Sequence, residues 1–89
     1  MQTIAGWHIE MEFQEAEKRT RAAAMVRLPD GTEMRAHGHA TRHPDDMEQN
    51  RVGEEIAAAR ALNELSRELL HKAGSEIEEV THRETHLAM

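Results

Sequence analysis

Seven histidines stand in a chain of 89 residues that has no cysteine, and two of them have a spacing that invites a chemical reading. His37 and His39 lie two apart in a stretch that alternates polar and apolar residues. On a strand such residues share a face, and two imidazoles so placed can chelate a divalent metal such as zinc. A zinc site needs further ligands, and only His8 or His43, neither at motif spacing, offers to complete this one. The pair is therefore expected as exposed histidines, with no metal and no cofactor.

Arg19, Arg21, Arg27 and Arg35 fall on the same polar face as His37 and His39, with His8 on a neighbouring segment. Basic groups on a sheet can follow a single-stranded nucleic acid when aromatic rings stack the bases between them. The chain has one Trp, one Phe and no Tyr, and none of these rings alternates with the arginines. The expectation is a solvated face in which Glu10 and Glu12 neutralise arginines across strands. The alternatives are a protein partner or an anionic ligand, or a nucleic-acid-binding accessory role for the basic strands.

Glu55 violates its surroundings, since a helical projection puts it in an apolar stripe between Val52, Ile56, Ala59 and Leu62. Near the start of a helix it can interact with the positive end of the backbone, or accept bonds from Arg42 or His43. A structural polar role for Glu55 with Arg42 is expected. No nucleophile with an adjacent base is visible: there are two Ser and no Cys, no glycine-rich phosphate loop and no paired acids at a recognisable spacing. An enzyme is not expected.

The elements that must carry these residues follow from periodicity. Trp7, Ile9, Met11 and Phe13 alternate with His8, Glu10, Glu12 and Gln14, which predicts a half-buried strand over about 5–14. Thr20, Ala22, Ala24, Val26 and Leu28 form the apolar row of a second strand, about 19–28. Pro29-Asp30-Gly31 is a turn, because Pro presets φ and Gly supplies a positive one. A third strand, about 33–42, turns Met34, Ala36, Gly38 and Ala40 inward. After the break at residues 43–46, Asn50 can cap a helix over about 51–73 whose stripe runs Val52, Ile56, Ala59, Leu62, Leu65, Leu69, Leu70 and Ala73. Gly74 is expected to end it. Ser75 with Glu78 resembles a capping box, predicting a short second helix over about 76–80, and the tail 81–89 is left open as fraying or an edge strand.

The architecture expected is α+β: a three-stranded antiparallel meander covered on one face by one long helix, in a single domain spanning 1–89. The inner rows of strands two and three are small, as are Ala57, Ala58, Ala59 and Ala61, so helix and sheet can approach closely there. Trp7, Met11 and Phe13 are expected to fill the core beside Leu62, Leu65 and Leu69.

The net charge is −6, distributed as −4 over residues 1–17, +4 over 18–43 and −6 over 44–89. An acidic whole disfavours nonspecific nucleic-acid binding, which displaces counterions with a basic footprint. The absence of cysteine and of a long apolar run points to the cytoplasm and away from secretion or a membrane. So small a core makes a homodimer a natural supplement.

The Trp7 strand, the run from Gly38 to Asp45 (GHATRHPD), the run from Val52 to Leu62 (VGEEIAAARAL), Ile77 and Val80-Thr81 together resemble a family of small bacterial proteins known as domain of unknown function 1876. The likeness covers nearly all of the chain. It implies a fold similar to the double-stranded-RNA-binding domain, and it implies no activity and no catalytic residue. That domain carries a helix before its sheet and a lysine-rich start to its last helix. Here Asp45, Asp46, Glu48, Glu54 and Glu55 surround the helix start, where they would repel phosphate. The function expected is that of a small, self-associating, non-enzymatic interaction module.

Overall fold

In the computed structural model of the chain, which describes residues 4–41 and 50–81, the alternating segments pair as strands. β1 (His8–Ala16), β2 (Arg19–Arg27) and β3 (Glu33–Thr41) form one antiparallel sheet in the order β1-β2-β3, and α1 (Asn50–Thr81) follows. The register sets Ile9 opposite Val26, Met11 opposite Ala24 and Phe13 opposite Ala22, and it sets Ala22 opposite Gly38 and Ala24 opposite Ala36. Each apolar row therefore shares one face of the sheet, as the alternation requires.

Two tight turns fix that register. Glu17 and Lys18 alone join β1 to β2, with Glu17 at φ 52°. Between β2 and β3, the Gly31 N–H donates to Leu28 O and the Leu28 N–H donates to Thr32 O, both at 2.9 Å. The Thr32 N–H donates to Asp30 Oδ1 at 2.9 Å, and Gly31 sits at φ 91°, a conformation that favours glycine.

The core is Ala22, Ala24, Val26, Ala36, Ala40, Ala57, Ala61 and Leu65, with Met11, Leu28, Met34 and Leu69 packed at its edges. Five of these eight buried residues are alanine or valine on β2 and β3, the other three lie on α1, and α1 packs on those two strands. Gly38 shows how close the approach is. A Cβ built there would overlap Ala57 O and Ala61 N and lie 2.9 Å from the Arg60 carbonyl carbon.

Two expectations are corrected. The helix does not stop at Gly74: α1 runs unbroken for 32 residues, so no short second helix forms and Ser75 and Glu78 lie within one helix. Gly74 costs a helix interior about 1 kcal/mol, but the i,i+4 pair of Lys72 with Glu76 spans it, and Thr81 Oγ1 donates to Ile77 O at 2.8 Å. Of the large residues expected in the core, Met11 packs at its edge, but Trp7 and Phe13 remain exposed, as does Ile9. The small residues draw α1 down onto β2 and β3, and β1 is left outside its footprint. Among the described residues no helix is long and apolar enough to cross a membrane.

Candidate interaction surface

The outer face of the sheet carries the basic residues, and its charges are paired differently from the expectation. Glu10 stands opposite Met25 and Glu12 opposite Ala23, so neither of these two acids faces an arginine directly. Glu33 does. The turn at residues 28–32 sets it opposite Arg27, whose Nε donates to Glu33 Oε2 at 3.0 Å, while Arg35 Nη2 donates to Oε1 at 3.2 Å. His8 bonds Glu10 at 2.9 Å along its own strand. Arg21 Nη2 lies 3.4 Å from both ring nitrogens of His37, and His39 stands across from Arg21. His37 and His39 thus share the outward face, and no group of three His, Asp or Glu among the described residues could hold a metal ion. Glu10, Glu12, Arg35 and His37 rim a shallow depression floored by Ala23 and Met25.

The bonds to Arg27, and then to Arg35, hold the Glu33 carboxyl below its ordinary pKa. A depressed acid contributes stability that is present at neutral pH and lost as pH falls through its lowered midpoint. NMR titration of Glu33 is expected to give a midpoint below the usual carboxylate value, and Arg27→Ala is expected to return it toward that value. An unchanged midpoint in Arg27→Ala would mean that the pair does not exist in solution.

Glu55 does not lie on the packed side of α1: its side chain is 63% exposed and accepts a bond from Arg51 Nε at 3.2 Å. Arg42 and His43, its expected partners, fall outside the described residues. The reason is a rotation of the stripe. Ala57, Ala61 and Leu65, spaced by four, are buried, so the sheet covers an arc centred one residue past Ile56.

Three consecutive residues show what each side of the helix faces, since successive residues turn by about 100°. Ala61 points into the sheet. Arg60 turns to the β3 flank, where its Nη1 donates to His39 O at 2.7 Å. Leu62 therefore turns to the opposite flank, above β1, and it is exposed there. Val52, Ile56, Ala59 and Ile77 continue this uncovered apolar arc over the outer side of α1, whereas Arg60, Glu64, Arg67 and His71 gather on the β3 flank. Below Leu62, the helix-facing row of β1 offers Ile9 and Phe13, with Trp7 just before the strand, all exposed. Floor and wall meet in an apolar corner.

The sequence shows the pieces of this corner but not its openness. Its signal was the contrast in size between the large row of β1 and the small rows of β2 and β3: a helix seated closely on the small rows cannot also span the third strand.

The sequence profile of a family described as Rv2632c-like matches residues 5–86. The uncharacterised protein Mb1767 of Mycobacterium bovis is 33% identical over 81 residues, covering 91% of this chain and 85% of its own. The uncharacterised protein Rv2632c of Mycobacterium tuberculosis is 36% identical over 75 residues, covering 84% of this chain and 80% of its own. The crystal structure of Rv2632c superposes with a TM-score of 0.83 over 92% of this chain and 96% of that one, at 33% identity.

Proposed function

This chain belongs to the Rv2632c-like family, and from that premise we propose that it is a non-enzymatic interaction module that associates with a second copy of itself. One observation carries the reading: the exposed row of Trp7, Ile9 and Phe13 on the helix-facing side of the sheet, lying beside the uncovered Leu62 flank of α1. Scattered exposed apolar residues need no explanation, but a contiguous patch of large ones marks an interaction site. The side chains offered there are apolar, the Trp7 indole N–H apart, and suit burial against a like surface, not proton or group transfer.

Nucleic-acid binding through Arg19, Arg21, Arg27 and Arg35 is the weaker reading, because Arg27 and Arg35 already share Glu33 and rings for stacking are lacking on that face. The cysteine-free sequence supports a cytoplasmic location. Size-exclusion chromatography with light scattering, across a concentration range, is expected to give a mass twice that of the 10.1 kDa chain at the upper end. A mass that stays monomeric throughout removes the reading.

A further inference from the structure

We infer that self-association, as proposed above and on which this inference rests, runs through the corner between β1 and the free flank of α1, with the helix of a second copy lying over β1. The corner is self-complementary. Its floor is a sheet face lacking a helix, and its wall is a helix flank lacking a sheet. A second copy related by a two-fold axis supplies both at once: its α1 covers the β1 floor of the first copy, and its own β1 is covered in return.

The area agrees with what a stable pair needs. Trp7, Ile9, Phe13, Val52, Ile56 and Leu62 are each between 38% and 58% exposed, together the equivalent of nearly three whole large side chains. At roughly 180 Å² for each, this is about 500 Å² of apolar surface. Homodimer interfaces are about 65% apolar, so such a core corresponds to roughly 800 Å² in all, the usual size per partner. The register spreads the floor along the helix, with Phe13 level with Gly38 and Ile9 level with Met34. Ala59, next to Leu62 on the same arc, is small enough to let a second helix come close.

The charge pattern favours this arrangement over pairing of two β1 edges into one six-stranded sheet. In an antiparallel edge pair centred on Met11, Glu10 of each copy would face Glu12 of the other, which is destabilising. Edge pairing would also leave the apolar floor in water. Across the corner, by contrast, the large facing side chains are apolar, Glu55 on the same flank of α1 is paired with Arg51, and Glu10 and Glu12 stay on the opposite face of the sheet.

Light scattering of Ile9→Asp and Leu62→Asp, with circular dichroism to check the fold, tests the assignment. Both variants are expected to become monomers at concentrations where the parent is a dimer, with dissociation constants raised by about 100-fold or more, since each buries an unpaired carboxylate at the centre of the interface. A dimeric parent whose Leu62→Asp variant stays dimeric overturns the corner and leaves self-association standing. A monomeric parent overturns both. Should the charged variants fail to fold, the parent's lack of cysteine allows a second measurement. Mild oxidation of Leu62→Cys is expected to give a disulfide-linked dimer and that of Glu64→Cys, on the β3 flank, to give none. The reverse pattern, or neither linked, counts against the corner.

Discussion

Gly38→Ala is expected to cost this domain about 3 kcal/mol, enough to lower its melting temperature by some 10–20 °C. In an open strand the same change is favourable by roughly 0.5–1 kcal/mol, because alanine loses less backbone freedom than glycine on folding. Here the added methyl would overlap backbone atoms of Ala57 and Ala61 and press on the Arg60 carbonyl carbon. No rotamer change relieves a clash with backbone. The helix must lift off β3, and with it go the contacts of Ala36, Ala40, Ala57 and Ala61, all buried. Domains of this size have only about 5–15 kcal/mol in hand, so a loss on this scale is severe. Gly6→Ala is the matched control, since a Cβ there meets nothing within 4 Å, and it is expected to melt with the parent. Equal melting of Gly38→Ala and the parent would mean that α1 does not sit on β3 as described.

The same glycine explains how much of the molecule was legible in the sequence. Strict alternation from Trp7 to Phe13, and the row of Thr20, Ala22, Ala24, Val26 and Leu28 set against Arg19, Arg21 and Arg27, specified strands and faces, because a period of two leaves one choice of side once any residue is placed inside. Asp30 and Gly31 specified a turn through chemistry local to it. What periodicity did not contain was the lateral position of the helix. An apolar arc as wide as that of α1 is consistent with many rotations about its axis. The choice was made by the side chains it had to approach, with Gly38 and the alanines of β2 and β3 admitting it and the bulk of β1 holding it off. That choice also turned Glu55 out to Arg51, and of the expected core residues Trp7, Met11 and Phe13 it left only Met11 packed against the interior, with Trp7 and Phe13 on open surface beside Ile9. Gly74 was misread for a related reason. Glycine ends a helix when a left-handed residue is needed, but inside a long packed helix its cost is a local one that neighbouring turns offset.

Leu62 and Leu65 belong to one stripe in the sequence, and the structure predicts opposite consequences for shortening them. Leu65 is 3% exposed beneath the helix, the largest member of a buried cluster otherwise made of alanines and Val26, with Met11, Leu28, Met34 and Leu69 at its edges. Leu65→Ala is expected to cost about 2–5 kcal/mol. Leu62, at 43% exposed, loses far less within one copy, and Leu62→Ala is expected to change monomer stability by under about 1 kcal/mol. Its larger effect belongs to the pair. Association with a second copy stabilises the folded form by an amount that grows with concentration, so the parent's denaturation midpoint is expected to rise with protein concentration. Leu65→Ala is expected to lower that midpoint at every concentration while keeping the rise, whereas Leu62→Ala is expected to flatten the rise and leave the dilute value nearly unchanged. Denaturant unfolding of the three proteins at two concentrations a hundred-fold apart separates these outcomes. Matching behaviour of the two variants would show that both leucines serve the same interior, and the division of α1 into a packed side and a docking side would then fail.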